Sequence, residues 1–156
     1  NENIRLISIT DFRPISLNKR ITIKPFIVPH RDEFSETLGF RIDGKNNSVV
    51  YIPDIDGWDN WENDLINLIK SSGRIYIDGT FYNSNELALK RISKVPHPFI
   101  ADTVRFLKTL PLIERNKVYF IHINHTNPCL KEKSAQRKRV EISGFRISEE
   151  MSRFYI

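Results

Sequence analysis

The stretch Val118-Tyr119-Phe120-Ile121-His122-Ile123-Asn124-His125-Thr126-Asn127-Pro128 decides how this chain is read. An apolar run of the kind that makes a strand buried on both faces leads straight into two histidines and a polar turn. The chain holds four histidines, His30, His97, His122 and His125. Each falls at an expected strand end or in a proline-containing loop, and none in the body of a helix. In α/β folds the rim at the strand ends is where ligands and metals bind. Asp54, Asp56 and Asp78 have similar placement, so the imidazoles and carboxylates together describe a site.

Outward from that stretch, hydrophobic periodicity gives the remaining elements. Ile4–Ile9 reads as a short strand, stopped by Arg13-Pro14. Ile21–Val28 is rich in β-formers and ends at Pro29-His30. Leu38–Ile42 and Val49–Ile52 form a hairpin around Asp43-Gly44-Lys45-Asn46-Asn47. Trp58, Trp61, Leu65, Leu68 and Ile69 recur at helical spacing, and Ser71-Ser72-Gly73 ends that helix. Arg74–Ile77 is a central strand leading to Asp78. A second helix covers Pro98–Leu107, with Pro98 in its first turn, and a third covers Pro128–Arg139. Val140–Ile147 and Arg153–Ile156 give a strand or two. Strands first, then alternating helices and strands, predict an α/β layered fold with a mixed sheet.

The 156 residues suit one compact domain. No segment reaches the ~18 apolar residues of a membrane helix, and the start, Asn1-Glu2-Asn3-Ile4-Arg5, has no apolar signal region. The lack of an initiator Met points to a processed or excised chain. The single cysteine, Cys129, excludes an internal disulfide and a cysteine-cluster metal site. Net charge is +5, with basic residues gathered in Lys131–Arg139. That run reads as a solvated helix face whose basic last turn suits the helix dipole; its sharper reading is a patch for phosphate or an acidic substrate. Glycine-rich nucleotide loops and a G-x-S-x-G serine elbow are both absent.

The candidate residues differ in strength. Pro29 stiffens the approach to His30. Asp56 fits a helix N-cap, whereas Asp54 sits at the strand terminus itself. Asp78 closes a buried strand, where a carboxylate stays ionised only if hydrogen-bonded, paired or metal-bound. His97 is held between Pro96 and Pro98. His122 and His125 share a site only if the chain turns at Ile123-Asn124, because on a continuous strand they face opposite ways. Nitrogen and oxygen ligands without sulfur suit zinc, iron or manganese.

The motifs Pro29-His30-Arg31-Asp32, Gly39-Phe40, Tyr51-Ile52-Pro53-Asp54, Asp78-Gly79-Thr80-Phe81, Pro96-His97-Pro98 and Ile121–Pro128 follow in order, with a weaker tail at Gly144-Phe145-Arg146-Ile147. In this order they resemble the second half of a metallo-β-lactamase-fold protein. Within that family they resemble the branch of pyrroloquinoline quinone (PQQ) biosynthesis protein B. The resemblance implies a layered αβ/βα fold, of which residues 1–156 would be one domain corresponding to the C-terminal half. It implies metal ligands at His30, Asp54 and His122, with Asp54 bridging two ions. It implies that Asp78 and His97 orient the ligands from behind, and that His125 and Asn127 face the substrate as catalytic groups. The implied cofactor is divalent zinc or iron.

Two features depart from the pattern. The H-x-H-x-D-H ligand loop of the fold's first half is absent, so the expected partner is the missing N-terminal half and the metal site is expected to be incomplete. The PQQ branch lacks an aspartate at the position of Asp54 and has Asn at that of His125. Keeping Asp and His supports a general metal-dependent hydrolase or phosphodiesterase beside the PQQ-type oxidative enzyme. A third reading is a non-catalytic half-fold, covered by a second copy. A small-molecule or peptide substrate in preference to nucleic acid (which the phosphodiesterase reading, helped by Lys131–Arg139, would take), a homodimer, no membrane and a cytoplasmic location complete these expectations.

Overall fold

A computed structural model of the chain describes residues 3, 4, 8, 9, 12–31, 35–59, 61, 64–86 and 96–156. Its elements run β1 (Ile15–Ser16), β2 (Thr22–Ile27), β3 (Leu38–Asp43), β4 (Ser48–Ile52), α1 (Leu65–Lys70), β5 (Arg74–Asp78), α2 (Ile100–Leu107), α3 (Leu112–Arg115), β6 (Val118–Ile121), α4 (Ala135–Ile142) and β7 (Arg146–Ile147). The strands form one sheet in sequence order. Pairing is antiparallel from β1 to β4 and parallel from β4 to β7. The carboxyl ends of β4, β5 and β6 therefore lie side by side, with Ile52 opposite Ile77 and Asp78 opposite Ile121. Three consecutive loops leave from that one rim.

The core lies under one face of the sheet, where Val50, Ile52, Ile75, Ile77, Val118 and Phe120 are fully buried. These alternate along the strands as a pleat requires. Ile100 and Leu107 of α2, Val140 of α4, and Phe145 close the core from the helix side. The other face is half-buried: β6 shows alternating buried and intermediate positions, and Tyr51 is 40% exposed. The strand quoted first is thus covered on one face and half-covered on the other, not buried on both. On that second face the Arg74 guanidinium stacks 4.2 Å from the rings of both Tyr119 and Phe154, which lays the C-terminal tail across the sheet.

Several expected boundaries shift, each for a local reason. The helix expected from Trp58 begins only at Leu65, because Asp64 caps it by accepting from the N–H groups of Ile66 and Asn67. Residues 60, 62 and 63 of that expectation lie outside the described residues. Trp58 instead donates its indole N–H to Thr103 Oγ1 at 2.9 Å, pinning the loop to α2. The helix expected over Pro128–Arg139 splits into two pieces. Asn127 caps a 3₁₀ turn at Pro128–Leu130, and Ser134 caps α4. Val140–Ile142 belongs to α4, leaving only Arg146–Ile147 as a strand, and Arg153–Ile156 forms none. Of the expected first strand, residues 5–7 lie outside the described residues, while Ile4, Ser8 and Ile9 are not in a strand.

The basic run is not uniformly solvated. Arg137 is 9% exposed and pairs with Glu141 at 2.9 Å and Glu149 at 2.6 Å. It is therefore committed inward rather than offered to phosphate. Beside it Cys129 is fully buried. Burial, with Glu86 and Glu141 adding, pushes its thiol up to about 12, Arg137 opposing. The raised value means that folding favours the neutral thiol. That contribution is fully present below the ordinary thiol pKa of about 8.5 and is lost as pH rises toward 12. At about pH 8.5 the native chain is expected to resist an aromatic disulfide reagent and to react only after denaturant is added. Immediate labelling would contradict the burial. Among the described residues, no helix is long and apolar enough to cross a membrane.

Candidate metal centre

Four side chains converge at the rim. Ligand-type atoms of Asp54, Asp78, His97 and His122 all lie within 4.8 Å of one another. Asp54 follows β4, Asp78 ends β5, and His122 follows β6, so parallel pairing alone brings them together. His97 arrives differently. The first backbone N–H groups of α2, at Ile100 and Ala101, donate to the carbonyls of Phe81 and Tyr82 at 2.9 and 3.0 Å. No side chain caps α2; the loop after β5 satisfies those donors instead and so fixes His97 beside Asp78. On the other side, Gly79 lets the end of β5 close on β6, since a Cβ there would lie 2.8 Å from that of Phe120.

Asp78 is fully buried and its carboxylate is saturated. Oδ1 accepts from the Thr80 backbone N–H at 2.8 Å and the Thr80 hydroxyl at 2.7 Å. Oδ2 accepts from the Ile55 N–H at 3.3 Å and pairs with His97 Nδ1 at 2.8 Å. Burial alone would lower the His97 pKa. The hydrogen bond that His97 gives to Asp78 and the charges of Asp78, Asp54 and Asp56 outweigh it, and the pKa is raised. In the neutral ring, with Nδ1–H given to Asp78, His97 keeps a lone pair at Nε2.

Asp54 is in the opposite state. Its Oδ1 is buried and has no hydrogen-bond partner among the described residues, and the same is true of Oδ1 of Asp56. Yet His30 Nε2 lies 3.2 Å from Asp54 Oδ1 and 3.8 Å from Asp56 Oδ1, and His97 Nδ1 lies 3.5 Å from Asp54 Oδ1. The Asp56 N–H donates to Pro29 O at 2.9 Å, which draws the β2 and β4 ends together and sets His30 against both carboxylates. Buried carboxylate oxygens without donors, facing imidazole nitrogens, are what a cation satisfies. The 3.2 Å separation also matches the ~3.3 Å edge of a tetrahedron with ~2.0 Å bonds. The donor set fits a divalent metal.

The expected site residues thus divide. Asp54, Asp78, His97 and His122 come together, and His30 adjoins them through Asp54. His125 is exposed, and its imidazole makes no hydrogen bond or ion pair among the described residues. The chain bends at His122, whose φ is +57°, and turns again over 124–127, where the Asn127 N–H donates to Asn124 O at 2.9 Å. Asn127 is 2% exposed. Its amide donates to Gly79 O at 2.9 Å and Thr80 O at 3.2 Å, and its Oδ1 accepts from the Cys129 N–H at 2.9 Å. Expected as a catalytic group, it lies buried, with both amide hydrogens given to the loop after β5, and ties two loops together. Asp56 caps no helix among the described residues. Thr80 was legible only as part of the Asp-Gly-Thr motif; a threonine two residues after a strand-end aspartate is the one signal that could have marked it.

Two clefts flank the cluster. One, of about 540 Å³, is lined by Asp56, Trp58, His97, Phe99, Thr103 and Phe106. The other, of about 820 Å³, adjoins His122, Leu130 and Ser148.

Parallel strands delivering carboxylates and imidazoles to one rim define a class that sequence comparison identifies. Residues 1–123 match the model of the beta-lactamase superfamily domain, and the chain belongs to that family. Within it, the chain is similar to coenzyme PQQ synthesis protein B of Gluconobacter oxydans, at 26% identity over 120 residues. That match covers 74% of this chain and 38% of the relative. The Nitrosococcus oceani protein of the same name is 28% identical over 130 residues, covering 77% and 41%. The chain therefore spans about two-fifths of the length of the curated relatives it matches. Zn(2+)-bound PqqB from Methylobacterium extorquens superposes with a TM-score of 0.68 at 20% identity, over 90% of this chain and 52% of that one. The metallo-beta-lactamase fold protein YhfI from Bacillus subtilis gives 0.58 at 16% identity, over 91% and 51%. These likenesses establish the fold.

Proposed function

We propose that this chain supplies ligands to the metal centre of a metal-dependent enzyme acting in PQQ biosynthesis. The observation that carries the metal reading is the buried Oδ1 of Asp54, which has no hydrogen bond among the described residues and is set between two imidazole nitrogens. His30, Asp54 and His122 would hold the ion. Asp78 and His97 spend their Oδ2 and Nδ1 on each other and act from behind. A divalent zinc or iron supplies positive charge that polarises an oxygen and acidifies a water. The chain's own residues supply the rest. Asp78 orients the His97 ring and raises its basicity, so that His97 can hold a proton at the site. Trp58, Phe99 and Phe106 give the adjoining cleft an apolar wall, and a small-molecule or peptide substrate would enter there. His125 would meet substrate from the solvent side. Ligands of the H-x-H-x-D-H type, absent from this sequence, would come from the N-terminal half that the family pattern pairs with it.

The PQQ role is supported by the similarity to coenzyme PQQ synthesis protein B. A hydrolytic reaction on the same site is favoured by one feature, the aspartate at position 54. Elemental analysis and calorimetric titration with zinc and with iron, on the whole protein, test the metal reading. The whole protein is expected to bind. His122→Ala is expected to weaken binding beyond the roughly 10- to 100-fold that a change behind the ligands costs. A whole protein that takes up neither metal would end the enzyme reading.

A further inference from the structure

We infer that Thr80 is a positioning residue that sets which ring nitrogen of His122 carries the proton. The purpose of this arrangement rests on the reading of His122 as a metal ligand, but the tautomer is a property of the metal-free chain.

The argument is a count of protons and lone pairs. A threonine hydroxyl has one proton to give and two lone pairs to receive. The Thr80 hydroxyl donates to Asp78 Oδ1 at 2.7 Å, a buried oxygen that also accepts from the Thr80 N–H at 2.8 Å. The single proton goes there. Only lone pairs remain to face the two imidazoles, His97 Nδ1 at 3.3 Å and His122 Nδ1 at 3.1 Å. His97 Nδ1–H is already directed to Asp78 Oδ2 at 2.8 Å. His122 therefore meets an acceptor. A bare Nδ1 would set lone pair against lone pair, so Nδ1 carries the hydrogen and Nε2 the lone pair.

Thr80 is built to hold this position. It is 8% exposed, its N–H donates to Asp78 at 2.8 Å, and its carbonyl accepts from Asn124 N–H at 3.1 Å and the Asn127 amide at 3.2 Å. The His122 backbone is equally fixed, in the left-handed region just past β6. The exposed imidazole of His122 thus hangs between a committed backbone and a committed hydroxyl. The result is a lone pair at Nε2, ready for a cation without a prior tautomer exchange. The chain from Asp78 through Thr80 to His122 makes the same carboxylate that orients His97 orient His122 as well.

The test is long-range ¹H–¹⁵N spectroscopy of histidine rings in the metal-free whole protein, at about pH 8.5, roughly two units above the ordinary imidazole pKa. His122 is expected as the Nδ1–H form in the wild type and in Thr80→Ser, which keeps the hydroxyl. In Thr80→Val it is expected to shift toward Nε2–H, and zinc affinity to fall by about 10- to 100-fold, restored by serine. A wild-type His122 in the Nε2–H form overturns the inference, whether or not the valine variant folds. So does an unchanged tautomer in Thr80→Val. Zinc binding untouched by His122→Ala, with the Nδ1–H form intact, would instead remove the metal reading and leave the role of Thr80 standing.

Discussion

Replacing Asp78 by alanine is expected to lower the folding free energy by about 3–5 kcal/mol, the scale for breaking one side of a buried ionic hydrogen-bond network. For a chain of this length that is a fall in Tm of roughly 10 °C or more. The carboxylate is fully buried and receives four donors, from Ile55, His97 and twice from Thr80. Alanine leaves the Ile55 and Thr80 N–H groups in the interior without acceptors. It also strips His97 of the hydrogen bond and charge that oppose burial, so the His97 pKa is expected to drop. The sign of the pH dependence follows. A raised histidine pKa stabilises the fold fully below the unfolded value of about 6.5, and that contribution is lost as pH rises through the folded value. The stability gap between wild type and Asp78→Ala should therefore be widest near pH 6 and narrower toward pH 9. Denaturation curves in the presence of a chelator would show it. A loss under about 1 kcal/mol would mean that the network around Asp78 holds nothing together.

How much of this was legible in the sequence depends on the physics behind each element. The strands β2 to β6 announce themselves through β-branched and aromatic runs bounded by turn residues, and their places differ from expectation by a residue or two. Asp54, Asp78 and His122 could be picked out because parallel pairing puts strand ends on one rim whatever the details of packing. Helix starts were less legible. Trp58 and Trp61 carry the helical spacing of Leu65 and Ile69, but their rings pack together at 6.1 Å in a loop, while the capping carboxylate of Asp64 fixes the true start. Hydrophobic spacing reports burial, and burial does not require a helix. The roles of Asn127 and Thr80 were out of reach for another reason. Each depends on which donor meets which acceptor across some forty residues of sequence, information that composition and periodicity do not carry. The same holds for His122 and His125, whose separation follows from a left-handed residue at His122 and the turn closed from Asn127 N–H to Asn124 O.

The largest discriminating substitution at the site is Asn127→Asp. It is nearly isosteric and replaces an amide by a carboxylate. Asn127 Nδ2 gives its two hydrogens to the carbonyls of Gly79 and Thr80, the residues that follow β5. An aspartate has no hydrogens to give, so it would set a buried negative charge against two carbonyl oxygens. Only the bond from the Cys129 N–H survives. The expected loss is about 3–5 kcal/mol, against about 2–3 kcal/mol for Asn127→Ala, which removes the same bonds without adding a charge. Were Asn127 a substrate contact on an open surface, aspartate would be the milder change for stability and activity alone would suffer. The order of the two variants in chemical denaturation therefore decides between the roles, before any substrate is known. The consequence for the site runs through Thr80. Its carbonyl is one of the two that Asn127 holds, and its hydroxyl lies 3.1 Å from His122 Nδ1. Loosening that loop is expected to weaken zinc binding in both variants, more in the aspartate, with no change in any ligand. A stable Asn127→Asp protein with unaltered metal affinity would show that the loops after β5 and β6 hold their positions without this bridge.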